Sequence, residues 1–244
     1  MNKREKSLAE NYDRMRIGID DSFQFHCTMC GECCINREDI LLNAFDLYRM
    51  AKELKRSPAD VFQEYCESYL GKNSNMVVVR LVPKGKDKRC PLLKGRKCSI
   101  HKGKPTVCAL YPLGRGLKLA TDQALSVAGH EVEYILQDRT CGDTSETHTV
   151  REWLSSFDLP VHDEFYVKWV QTVINCGNQI KRLQQLVSTN AVNMLCTAIL
   201  GCIYLNYDID APFMPQFEAN VKSFSDLMAS IGLSSSGTNG AMSW

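Results

Sequence analysis

Apolar positions recur at helical spacing in two parts of the chain, with an aperiodic stretch between them. Leu47, Met50, Ala51 and Leu54 share one face, and Asn43 with Asp46 three residues on supplies a helix start. Ser57 before Pro58 reads as a second start, after which Val61, Phe62, Tyr65, Cys66 and Tyr69 lie on one side. Met76 to Val82 is a β-branched run that predicts a strand, and Leu117 to Leu136 predicts a hairpin turning at Thr121-Asp122-Gln123. Thr149 and Glu152 form a capping box ahead of Trp153 and Leu154. Everything after Gly142 then reads as helical. Phe165, Trp169, Val173, Ile180 and Leu183 mark a helix over 163–186, a nearly apolar run covers 190–205, and Phe217, Val221, Phe224 and Met228 give a final helix after Pro215.

This pattern divides the chain into a region over 1–142, a helical region over 143–233 and a disordered tail over 234–244. Nothing between the first two has the composition of a linker. The predicted fold class is α+β: a small, loop-rich metal-binding unit with few strands, packed on a carboxy-terminal helical bundle. With 244 residues the chain can bury a core without covalent staples. No apolar stretch reaches membrane-spanning length and no signal segment is evident, so a cytoplasmic location is expected.

Cysteine changes the picture. Nine of the twelve lie between positions 27 and 141, four of them in the run Cys27-Thr-Met-Cys30-Gly-Glu-Cys33-Cys34. Disulfides rarely persist in a reducing compartment, so grouped thiols there point to metal or redox chemistry. Three thiols two residues apart can curl around one centre, as in zinc and iron–sulfur ligation, and Gly31 lets the loop bend. Setting Cys66 aside as a core residue, Cys27, Cys30, Cys33, Cys34, Cys90, Cys98, Cys108 and Cys141 are the candidate ligands, enough for two four-sulfur sites or one with spare thiols. Cys33 and Cys34 would face opposite ways in an extended segment, which would send them to different metals. Cys176, Cys196 and Cys202 sit in helical stretches and are assigned to packing.

Charge adds one local feature. The chain holds 29 Lys and Arg against 28 Asp and Glu, which gives no global signature of a nucleic-acid binder. Nine of the 21 residues from Lys84 to Lys104 are nevertheless basic. Without interleaved aromatics for base stacking, these cations read as compensation for negative thiolates. His26 and Glu32 are candidates to act beside the metal, and His101 is a candidate mixed ligand. His130, His148 and His162 show no carboxylate at an informative spacing. No general base or nucleophile stands out.

Phe23-Gln-Phe25-His-Cys27-x2-Cys30-Gly-x-Cys33-Cys34, Cys90-Pro-Leu-Leu93, Cys98-Ser-Ile-His101 and Pro105-Thr-Val-Cys108-Ala-Leu-Tyr-Pro112 resemble the YkgJ-type cysteine-cluster family over residues 20–142. That resemblance implies a zinc- or iron-chelating protein, of a kind often labelled an Fe–S oxidoreductase. The family usually has Arg where Lys104 stands and Tyr where His101 stands. A distant relative methylates flagellin lysines with an iron–sulfur cluster and S-adenosylmethionine, which keeps a protein-modifying role open, although no glycine-rich nucleotide fingerprint is present. The leading expectation is a [4Fe-4S]-type cluster for redox or electron transfer. The alternatives are a zinc module without catalysis and a cluster-dependent lysine methylase-like enzyme. Expected partners are a redox partner or a protein substrate, with neither membrane nor nucleic acid.

Overall fold

The protein is described here by a computed structural model over residues 11–118, 131–185 and 188–230. Among the described residues a helical stretch over 11–15 leads into β1 (Arg16–Ile17), followed by β2 (Ser22–His26), a 3-10 turn (Glu32–Cys34) and β3 (Leu41–Leu42). Then come α1 (Ala44–Leu54), α2 (Pro58–Tyr65), β4 (Cys66–Leu70), β5 (Val77–Leu81) and the small hairpin β6 (Leu93–Lys94) with β7 (Lys97–Cys98). After α3 (Thr106–Leu110) follow β8 (Leu113–Lys118), β9 (Glu131–Leu136), β10 (Asp143–Thr149) and α4 (Val150–Ser155). The last elements are α5 (Glu164–Gln184), α6 (Thr189–Ile199) with a π-helical continuation (Leu200–Leu205), and α7 (Phe213–Ser230). Short antiparallel sheets, in the orders β3-β5-β4, β1-β9-β8, β10-β2 and β6-β7, combine with these helices in an α+β fold. No helix among the described residues is long and apolar enough to cross a membrane.

Two hydrophobic cores form, and each takes residues from both sides of position 142. In the first, β5 buries Val77, Val79 and Leu81 by strict alternation, as a half-covered strand should. Leu47, Met50 and Ala51 of α1 and Val61 of α2 meet Ile180 of α5, Ile199 of α6 and Phe217 of α7 there. In the second, Phe23 and Phe25 of β2 lie against Trp153, with ring centroids 6.0 and 5.4 Å apart, beside Ala109, Leu110, Tyr134 and Leu154. The buried pair of Arg115 on β8 and Asp163 at the start of α5 joins hairpin to helix, and Tyr166 lies 3.9 Å beneath the guanidinium.

Start signals in the sequence correspond to real caps: Asn43 with Asp46, Ser57 with Pro58, and Thr149 with Glu152. Several elements differ from expectation. Helix α2 ends at Tyr65, and Cys66 opens β4 opposite Leu81, because pairing with β5 outweighs helical periodicity there. Cys66 still packs on the first core, as do Cys176, Cys196 and Cys202. Strand β10 stands where helix was expected; its run Asp-Thr-Ser-Glu-Thr-His-Thr is polar on both faces and is held by pairing with β2. Helix α7 begins at Phe213, since Pro215 fits in the first turn where its missing N–H has no intrahelical partner. The hairpin over Leu117 to Leu136 is present as β8 and β9, while its turn at 121–123 and the tail at 234–244 lie outside the described residues.

One buried carboxylate links the helices to the cysteine-rich loops. Asp46 is 2% exposed and accepts hydrogen bonds from the Asn43 backbone N–H at 3.0 Å, the Thr106 N–H at 2.7 Å and the Thr106 hydroxyl at 2.6 Å. It thus completes the α1 cap and anchors the helix that carries Cys108. Asp46→Ala should cost about 3 kcal/mol, because one buried and one partly buried backbone donor lose their acceptor, read as a lower denaturant midpoint at unchanged slope. Gly177 on α5 gives a second test. A Cβ there would stand 2.1 Å from the Ser74 carbonyl oxygen, which is backbone and cannot swing aside. Gly177→Ala should therefore destabilise by about 1–3 kcal/mol by thermal melt, against the gain of about 1 kcal/mol that helix propensity alone predicts.

Candidate metal centre

The eight candidate thiols come from chain segments that the two cores bring to one place. Strand β2 ends at His26, and Cys27 follows directly. The loop then turns through left-handed conformations at Met29 and Gly31, where φ is +50° and +79°. A side chain on Gly31 would also press on the Arg96 carbonyl at 3.3 Å, so glycine serves both the turn and the close approach to the β6–β7 hairpin. Arg96 Nε donates to the Cys30 carbonyl at 3.1 Å, and the Cys90 N–H donates to the Cys34 carbonyl at 2.8 Å. These bonds fix the first cysteine run against the second.

Cys98 is held by β7 opposite Leu93, and Cys108 by α3. Cys141 arrives from the other side. Gly142 has φ +74°, and a Cβ there would lie 2.5 Å from the His26 carbonyl oxygen, so the chain at Cys141 passes directly over the end of β2. Cys27, Cys33, Cys34, Cys90, Cys98 and Cys108 line one pocket of about 760 Å³ including its open mouth, with Leu92, Ile100 and Tyr111 among its apolar walls. Cys30 and Cys141 adjoin it through Cys33.

The Sγ atoms of Cys33 and Cys34 are 3.9 Å apart. They do not point to opposite sides, because the segment is a 3-10 turn instead of an extended strand. Cys141 interacts with Cys30 and Cys33, while Cys34 interacts with Cys90 and feels Cys98. Seven of the sulfurs therefore form a continuous array that runs through Cys33 and Cys34, and Cys27 joins them as a wall of the same pocket. Among the described residues, no three Cys, His, Asp or Glu side chains stand around a common point at ion-binding spacing.

Electrostatics within the array favour protonated thiols. The hydrogen bond with Cys34, then burial, pushes Cys33 well up. Cys34 is pulled down by its bond to Cys33, but Cys90 and burial outweigh that and leave it at about 12. Burial raises Cys98 and Cys108, and lifts Cys141 to about 11. Only two move the other way: Cys30, through the Glu32 backbone, and Cys90, through Cys34.

Of the nine cations between 84 and 104, eight are exposed and Lys104 alone is buried, at 9% exposure. Compensation by the whole run is thus not what the structure shows. Lys104 lowers Cys33, Cys98 and Cys108, and Arg37, whose Nη1 donates weakly to the Cys33 carbonyl at 3.5 Å, acts on Cys108. Glu32 is exposed and does not line the pocket, whereas His101 does line it.

A polar cluster at the edge of the site was not foreseen. His26 Nδ1 lies 3.4 Å from Asp143 and its Nε2 3.7 Å from Glu146, while His148 Nε2 lies 3.3 Å from Glu146 and 3.0 Å from the Phe25 carbonyl. Glu146 and His148 are two apart, a spacing that shares one face of a strand. That signal was present in the sequence, but it is legible only once 143–149 is read as a strand. His162 is exposed, and His130 lies outside the described residues.

No curated protein and no solved structure matches the chain. A family match covers just under half its length and includes the whole thiol array from Cys27 to Cys141. Residues 26–142 match the model of the CxxCxxCC family, described as a putative zinc- or iron-chelating domain.

Proposed function

We propose that the chain binds metal through Cys27, Cys30, Cys33, Cys34, Cys90, Cys98, Cys108 and Cys141, most favourably as [4Fe-4S]-type iron–sulfur chemistry serving redox or electron transfer. The carrying observation is the continuous thiol array, which draws on chain segments up to 114 residues apart in sequence, Cys27 to Cys141, yet shares one pocket and its border. Thiolate sulfur is the donor that zinc and iron–sulfur centres take, so the donor set fits both metals that the family description names. Eight sulfurs exceed the four that one tetrahedral ion accepts, which favours more than one centre. Cys-x2-Cys-x2-Cys spacing favours iron–sulfur over the separated pairs common at zinc.

When bound, the cluster would supply one-electron chemistry. The chain's own residues hold the sulfurs, screen them with Leu92, Ile100 and Tyr111, and donate backbone N–H groups around them. Zinc remains the second reading, favoured by the same family description. The polar group of exposed Asp143 and Glu146 with half-buried His26 and His148 borders the centre and is where a redox partner or protein substrate would meet it.

Protein purified without air should absorb broadly near about 400 nm and contain iron with acid-labile sulfide. Stoichiometric zinc without either would remove the iron–sulfur reading and leave metal binding intact. Metal uptake should also release protons, since Cys33, Cys34, Cys98, Cys108 and Cys141 all have raised pKa values and must ionise to ligate. Apparent affinity should accordingly fall as pH falls from 8 to about 6. Calorimetric titration of apoprotein in buffers of different ionisation enthalpy measures this release, and a buffer-independent heat would count against thiol ligation.

A further inference from the structure

Lys104 is the one buried cation of the basic run, and its surroundings are unusual for an ammonium group. Nζ lies 4.1 Å from the centroid of the Phe157 ring, just beyond α4, and the residue lines the thiol pocket. Among the described residues no carboxylate pairs with it and no hydrogen bond holds it. Burial without a counter-charge is costly, and a ring face offsets only part of that cost. It shares the pocket with His101 and with the sulfurs on which its charge acts, Cys33 from the first cysteine run and Cys98 and Cys108 from the second. A thiolate centre is net negative, since four thiolates on a divalent ion leave two negative charges. The charges of the lysine and of such a centre are therefore opposite in sign, and the lysine offsets one of the two negative charges.

We propose that Lys104 is the fixed counter-cation of the thiolate centre, a positioning residue whose charge raises the centre's affinity for metal. This rests on the proposed metal binding by the thiols. Phe157 keeps the ammonium in place, and the Gly103-Lys104-Pro105 corner sets its direction. Gly103 packs so closely on α1 that a Cβ would meet the Arg49 carbonyl at 2.8 Å. The eight exposed cations of the run are too well solvated to substitute for it.

The test uses the full chain and Zn²⁺ as probe. Zinc stoichiometry and affinity, the latter by competition with a chelator, are measured for the parent protein and for Lys104→Met, Lys104→Gln and Lys104→Arg. Met keeps the apolar stem over Phe157 while removing the charge, and circular dichroism reports folding. Met and Gln should keep the parent stoichiometry but bind about 10- to 100-fold more weakly, the range typical for loss of a group that supports metal ligands. Arg should stay within about threefold, because it retains the charge and can stack on the ring. Parent-like affinity in Met and Gln would overturn the assignment, as would an Arg variant that folds but binds as weakly as Met. Failure of the parent protein to bind zinc or any other metal would instead remove the reading beneath it. If Met and Gln do not fold while Arg folds and binds, Phe157→Leu decides: weaker zinc binding at unchanged stoichiometry supports a charge held in place by the ring, and parent-like affinity overturns it.

Discussion

The Asp46 carboxylate is the interaction on which the arrangement of the site depends. It closes the cap of α1 through Asn43 and takes both donors of Thr106, so the helix start and the entry to the Cys108 helix share one buried acceptor. Burial pushes its pKa up, while the donated hydrogen bonds act the other way. Such a group is costly to place inside a protein and is tolerated where donated hydrogen bonds satisfy it, here from both elements that it joins. Short helix α3 has few residues with which to anchor itself. Its other ties are the Trp153 indole, which donates to the carbonyls of Ala109 and Leu110 at 3.2 and 3.1 Å.

Opposing demands meet in the thiol array. Packing draws the sulfurs together, and burial disfavours the charged form, while a neighbouring thiol favours it in one partner of a pair and disfavours it in the other. Cys33 and Cys34, 3.9 Å apart, show the result most clearly: Cys34 and burial push Cys33 up, and Cys90 and burial push Cys34 up against the pull of Cys33. A bound cation reverses the sign of this balance, because crowded sulfurs that repel as bare thiolates become good ligands around positive charge. Buried Lys104 already supplies a small part of that reversal.

Much of this was legible in the chain. The helix caps were, because Asn43, Ser57 and Thr149 act through local hydrogen bonds that sequence spacing encodes. The thiols were singled out by their number and spacing, and the fold assembles them at one place. What the sequence concealed were features set by distant partners. Strand β10 has no apolar alternation and exists through its pairing with β2, so neither the second core nor the His26–Glu146–His148 cluster could be anticipated. Cys33 and Cys34 were misjudged because a 3-10 turn replaces the extended segment assumed for them. Nothing in a run of nine cations marks which one turns inward; the Phe157 ring, far along the chain, decides that.

Cys27 packs on the second core, whereas Cys90, Cys98 and Cys108 pack on the first. The complete set of sulfurs consequently exists only after both cores have closed, and a chain with one core formed presents a partial set. Assembly of the array in this sense reports on both hydrophobic clusters at once, which are built from interleaved stretches of one chain. A ligand held by all eight sulfurs would act as a latch across them, converting two cores that could open separately into a single cooperative unit.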